Sequence, residues 1–286
     1  ASNNTAVGDD ALKFNTTGTQ NVAVGALSLD ANTTGSYNTA LGEKSLSTNI
    51  LGSKSTAVGT FSLFNQNPAS AVDMYNVAVG YDAGNAVTTG VQNTLIGGLA
   101  GDAITTGGVN TAVGYNSLGA NTTGGGNTAV GKDALSANTT GYSLQALGFL
   151  ALTANTTGHS NSAIGESALA ANTTGASNVA VGNNALDANT TASNNTAVGY
   201  ASLGANTTAA NNTAVGYLTM RDNTTGADNT ALGFAALVVN TTGQGNTSVG
   251  FRSLYANTTA SGNTAFGYQG LMANTTGASN TAVGRD

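Results

Sequence analysis

The sequence predicts an all-β solenoid of about seventeen coils. A pentapeptide of the Asn-Thr-Ala-Val-Gly type recurs along the whole chain, its period is 17 residues, and each period is rich in Gly, Asn and Thr rather than in helix formers. The glycines that close the unit run from Gly8, Gly25 and Gly42 to Gly250, Gly267 and Gly284. They are always 17 apart, except for the 21 residues between Gly59 and Gly80. The consensus N-T-A-V-G-x-x-[AS]-L-x-A-N-T-T-G-x-x leaves no segment large enough for a second domain, so residues 1–286 read as one repeat array. A 17-residue period is too short for paired-helix repeats and lies below the leucine-rich range. Each period offers two short extended stretches, T-A-V and about [AS]-L-x-A-N-T, with glycine-bearing turns between them where positive φ is tolerated. Coils stacked in register at a ~4.8 Å rise would give a rod on the order of 80 Å long.

Two ranks of the repeat read as core. The residue before each closing glycine is always apolar (Val7, Leu41, Ile96, Ile164, Phe266), and four residues after the glycine stands Leu in thirteen of sixteen coils, with Met220 replacing it once. Neighbours in a strand point to opposite faces, so the residue before the core valine would face away from it. That residue is Ala in fifteen of seventeen coils, Leu95 and Ser248 being the exceptions. A uniform small residue implies close packing, and a second copy of the chain is the expected partner. One Val and one Leu per coil make a thin core that lateral association would thicken. The alternative is a single curled chain that covers its own alanines.

Two asparagine ranks recur as well. One precedes the T-A-V strand (Asn4, Asn21, Asn38, Asn76), and the other opens the N-T-T triplet. Stacked amides can hydrogen-bond from coil to coil as ladders, which is a structural role. The same triplets are N-x-[ST] acceptors, so Asn121, Asn138, Asn155, Asn172, Asn189, Asn206, Asn223, Asn240, Asn257 and Asn274 are candidate glycosylation sites, although bulky sugars on coils ~4.8 Å apart would collide. The repeat is irregular over 42–107 and regular over 108–286. Four extra residues near 60–75 include the sole proline, Pro68, and predict a loop. Gly84 and Gly101 stand at the leucine rank, with Val87 and Ile104 at the N-T-T asparagine rank.

Composition excludes several function classes. Only 7% of residues are charged, against about 25% in an ordinary soluble domain. Seven Lys and Arg against 13 Asp and Glu give a net charge of −6, and no basic face is available for nucleic acid. With no cysteine there is no disulfide framework or thiolate metal site, and no apolar run approaches the ~18 residues of a membrane span. His159 is the single histidine and lies in a turn, so no nucleophile–base–orienter set can be assembled. No catalytic residue, cofactor or resident metal is therefore expected. Asp9-Asp10 is the one pair weighed for calcium, and it lacks the spacing of a calcium-binding repeat. One feature could carry a ligand or lateral contact: Tyr200, Tyr217, Phe234, Phe251 and Tyr268 occupy the same rank in successive coils and would stack as an aromatic stripe. Covering the coil edge is its plainer role.

The N-V-A-V-G and N-T-A-V-G units resemble the S-V-A-I-G repeats of trimeric autotransporter adhesin heads. More closely, N-T-A-V-G-Y-x-[AS]-L-x-x-N-T-T-G is similar to repeats of phage tail-fibre-like and surface proteins, with the best match over 195–216 and 263–284. The resemblance covers essentially the whole chain, and the coil here is longer than in the adhesin heads. It implies a homotrimeric left-handed β-roll that serves as the stalk or shaft of a surface fibre. The expected role is thus a structural segment of an extracellular, cell-surface or virion fibre. Its partner would be itself, as a homotrimer or an end-to-end filament, with a cell-surface glycan as a second candidate, and with no nucleic acid and no membrane insertion. Both ends are consensus sequence, so the chain reads as a fragment of a longer fibre or as one that stacks on another copy. A different class remains open: an ice- or carbohydrate-binding solenoid that presents threonine or aromatic ranks. Adjacent threonines such as Thr139-Thr140 and Thr156-Thr157 would face opposite ways, so one per coil would be displayed.

Overall fold

A computed structural model describes residues 1–286. The seventeen three-residue strands are all parallel and are wound as a β-solenoid with a 17-residue repeat within each of two units. Two compact units are present, Ala1–Leu144 and Gln145–Asp286. The first holds β1 (Thr5–Val7) through β8 (Thr128–Val130), and the second holds β9 (Gln145–Leu147) through β17 (Thr281–Val283). Within each unit, consecutive strands pair in strict register, with Ala23 opposite Ala40 and Ala163 opposite Ala180. The ladder continues past the strands: Val179 N–H donates to the Asn195 carbonyl and Gly182 N–H to the Ile164 carbonyl, both at 2.8 Å.

The strand presents its faces in the opposite sense to the one the sequence suggests. Ala23, Ala40, Ala163 and Ala180 are fully buried inside their own coils, as are Leu29, Leu46, Leu169 and Leu186. The apolar residue before the glycine points outward instead, with Leu41 46%, Ile164 44% and Leu232 47% exposed. The expectation that valine and leucine form the core while alanine meets a second chain is corrected: alanine and leucine form the core, and the same chain covers the alanines. The reason is steric. A 17-residue coil closes on so little interior that the residue opposite the leucine must be small. Leu95 shows the rule by breaking it, because the facing leucines are then Gly84 and Gly101. A Cβ on either glycine would meet a Leu95 methyl at 2.7 and 2.8 Å respectively.

Only T-A-V is extended, so the second expected strand is also corrected. The [AS]-L-x-A-N-T stretch is a run of turns in which Ser167 and Leu169 both adopt left-handed φ, 55° and 53°. Ala168, Ala170 and Asn172 N–H groups each donate to the carbonyl three residues back, at 3.3, 3.3 and 3.1 Å. A left-handed L-residue costs about 1–2 kcal/mol. Burial of the leucine, roughly 1.5–3 kcal/mol, together with the Leu169 N–H bond to the Ala185 carbonyl one coil on, at 3.0 Å, offsets that cost. The closing glycine is held more severely. Gly114 has φ +135°, and a Cβ there would sit 2.6 Å from the Gly131 carbonyl oxygen.

The coil interior is half polar. Asn161 and Asn172 both donate to the Gly175 carbonyl, at 2.7 and 3.1 Å, so one acceptor ties the start of a coil to its end. Asn172 also donates to Asn155 Oδ1 and accepts from Asn189 Nδ2, each at 2.9 Å. In the other rank, Asn161 Oδ1 accepts the backbone N–H of Asn178 at 2.9 Å. The unit Ala1–Leu144 repeats the pattern, with Asn21 and Asn32 both on the Gly35 carbonyl at 2.9 and 3.0 Å. Both ranks are therefore coil-to-coil ladders with a structural role.

The irregular section keeps this logic with different residues. Gln66 takes the asparagine rank, donating to Asn49 Oδ1 at 3.2 Å and accepting from Ser55 Oγ and Asn76 Nδ2 at 3.1 and 2.9 Å. Residues 69–73 then loop out exposed before Ser53 pairs with Asp73 as an isolated bridge, and Met74 returns fully buried. Val87 and Ile104, also fully buried, replace two asparagines with apolar volume where Leu95 enlarges the core.

Two stability outcomes follow. Asn172→Leu removes three buried hydrogen bonds, to Asn155, Gly175 and Asn189, and leaves one amide hydrogen of Asn189 unpaired at about 1–3 kcal/mol, so its thermal midpoint should fall by several degrees in a circular-dichroism melt. Gly114→Ala combines left-handed strain with a backbone clash and should cost roughly 3 kcal/mol in denaturant titration; an unchanged midpoint would show that the coil spacing can relax there.

Candidate functional site

Three surfaces emerge from the coil. The first is the outer face of the strands. Its two ranks are the residue before the alanine, which is Thr in twelve of seventeen strands, and the apolar residue after it. Every charged side chain lies on other ranks, so this face carries no charge. Ile96, Ile164, Leu232 and Phe266 are each about two-fifths exposed there, and they recur at the strand spacing of ~4.8 Å.

The second surface is the aromatic column of the unit Gln145–Asp286. The 17-residue register places Tyr200, Tyr217, Phe234, Phe251 and Tyr268 above one another, with centroid separations of 5.5, 5.4, 5.2 and 5.1 Å and interplanar angles of 16° or less. Four of the rings remain 41–51% exposed and Phe251 is half-buried. Offset stacking is a favourable arrangement for aromatic pairs, and it means that the rings largely cover one another's faces. Arg285 lies over the Tyr268 ring at 5.3 Å, while the Arg252 guanidinium lies 5.3 Å from the Phe251 ring and 5.2 Å from the Tyr255 ring. The sequence placed the column but gave no sign of the arginine between two rings. Arg252 and Tyr255 are three residues apart around a turn, and their meeting depends on the left-handed φ of Arg252.

The third surface is the N-T-T corner. The first threonine spends its hydroxyl on the next coil, as Thr173 Oγ1 does on the Thr190 carbonyl at 3.1 Å, and the second, such as Thr174, is exposed. One threonine per coil is thus displayed here. The asparagines of the triplets are not displayed: Asn121, Asn138, Asn155, Asn172, Asn189, Asn206, Asn223, Asn240 and Asn257 are fully buried, and Asn274 is half-buried with its amide on the Gly277 carbonyl at 2.9 Å. The candidate glycosylation sites thus lie in the folded interior, because their amides are the rungs that join the coils.

The acidic and histidine residues remain dispersed. Asp10 pairs with Lys13 at 2.8 Å, His159 Nδ1 lies 3.3 Å from Ser160 Oγ in its turn, and no group of three or more His, Asp or Glu side chains is placed to hold a metal ion. No helix is long and apolar enough to cross a membrane. Asp102 and Asp187 stand out electrostatically. Partial burial against the coil lifts both carboxyls above the ordinary carboxylate range, with the Asp82 charge adding to the effect at Asp102. One Asp102 oxygen is buried without a partner. No protein-family model matches the chain, and no curated protein matches it.

A raised folded-state carboxyl holds a proton that the unfolded chain has released, so its contribution weakens the fold as pH rises through the interval between the two values. Asp102→Asn should therefore melt higher than the parent at pH 7. The gap should close as pH falls below the ordinary carboxylate range, about 4. A pH series of melts checks both the sign and the window.

Proposed function

We propose that the chain is a shaft segment of an extracellular fibre, at a cell surface or on a virion, that acts by rigid extension and lateral self-association and catalyses no reaction. The observation that carries this reading is the uncharged outer strand face, one rank apolar and the other mostly threonine, on the order of 400 Å² in each unit. Two copies that each carry a net charge of −6 meet with little repulsion on a face that holds no charge. Stacked coils with hydrogen bonds along every rank suit a part whose task is stiffness and length. The likeness of the repeats to phage tail-fibre-like proteins and trimeric autotransporter adhesin heads supports a homotrimer built on that face, with end-to-end filaments as the larger assembly. The alanines, which are buried in their own coils, take no part in the contact.

A second reading draws on the threonine rank of the same face, flanked by aliphatic groups at regular spacing, which suits an ordered surface such as ice. Thermal hysteresis in the intact chain would favour it. A sugar platform is less well served, since the aromatic rings cover one another.

Sedimentation and mass-per-length imaging test the first reading. The wild-type chain should show about three chains' mass per segment. Ile164→Lys combined with Leu232→Lys, both on exposed strand positions, should return single chains that keep the wild-type circular-dichroism spectrum and melt lower. A monomeric wild type at micromolar concentration would overturn the fibre reading.

A further inference from the structure

We infer that the aromatic column of residues 200–268 is a binding site for an elongated, planar, aromatic anion, a function separate from the fibre role and independent of the strand face. Three observations converge on it. The column is regular: five rings at separations of 5.1–5.5 Å form a ladder roughly 20 Å long, four strand spacings, on which a flat molecule can lie across several rungs at once. It is open to solvent, with Tyr200, Tyr217, Phe234 and Tyr268 each 41–51% exposed. Finally, it holds an uncompensated cation. Arg252 stands against Phe251 and Tyr255 and is only half-buried, so that its guanidinium, apart from the buried Nε, is open to a ligand. The other arginines of the unit, Arg221 and Arg285, have carboxylates at 2.6 and 3.5 Å, whereas Arg252 has none within ion-pairing distance.

The chemistry of the ligand follows from these features. Ring faces already spent on each other leave little surface for the face-on contact that a sugar ring makes, whereas ring edges and partly covered faces in a row suit a second π-system laid along the column. The guanidinium selects the charge: a sulfonate or carboxylate on the aromatic frame supplies the acceptor that Arg252 lacks, and a charge-assisted bond to a planar fork is the stronger kind. A chain that is otherwise acidic attracts anions poorly elsewhere, so binding should localise at this end of the column. The affinity should weaken as salt rises.

Equilibrium titration of the intact chain with Congo red, an elongated planar disulfonated dye, and with thioflavin T, a planar cationic one, tests the inference. Congo red should bind saturably, and more tightly than thioflavin T. Its dissociation constant should rise at least tenfold both in Arg252→Gln, which removes the charge, and in Phe251→Leu, which keeps apolar bulk and removes the ring. Circular-dichroism melts of both variants confirm that the coils are intact. Congo red affinity unchanged in either variant, or no saturable binding at all, would overturn the site. Because the strand face is untouched by these changes, the oligomeric state read by sedimentation should stay that of the wild type, which separates failure of this site from failure of the fibre reading.

Discussion

The regular coils of this molecule depend on two asparagine amides converging on one carbonyl. In the coil that runs from Asn161 to Gly175, Asn161 enters before the strand and Asn172 enters after the turns, yet both reach the carbonyl of Gly175. That carbonyl fixes the circumference of the coil. The remaining valences of the same amides fix the stacking, since Asn172 is bonded to Asn155 below and Asn189 above. A buried amide with all its partners is cheap, and one without them is expensive. The interior therefore tolerates no drift of one coil against the next, and the 17-residue period is the consequence.

The ladder also explains the costs the backbone accepts. A circuit this small must turn sharply, and it turns at left-handed residues that are mostly not glycine, including the core leucine itself. Each such residue is strained by a kilocalorie or two. The strain is tolerated because every turn is also bonded to the turn of the next coil, so relaxing one would break bonds on both sides. Where the ladder is interrupted, the interior is rebuilt as a block: Leu95, Gly84, Gly101, Val87 and Ile104 exchange volume and polarity together while the circuit keeps its length. Single substitutions toward that state would meet clashes or voids.

The exterior is organised by the same register. Because each rank falls on itself every 17 residues, a residue type repeated in sequence becomes a continuous stripe in space. Charges gather on the turn ranks, threonines and aliphatics on the strand face, and the five aromatics in one column. A solenoid thus converts sequence periodicity into surface pattern, which is why its surfaces can be long and uniform without a large interior to support them.

The period, the interrupted section near the proline, both asparagine ladders and the aromatic column are legible in the sequence, because each of these depends only on which residues recur at 17. Which side of the strand is inside is set by packing alone. A T-A-V strand has an apolar residue on both faces, and alternation cannot say which parity is buried. Alanine is buried because the closed circuit leaves room for a methyl group opposite Leu169 or Leu186 and for nothing larger, a limit set by coil closure and invisible in any single repeat. The left-handed leucines were hidden for the same reason. Local preference argues against them, and only the closed coil, with its backbone bonds to the next coil, makes them the lowest-cost way to turn.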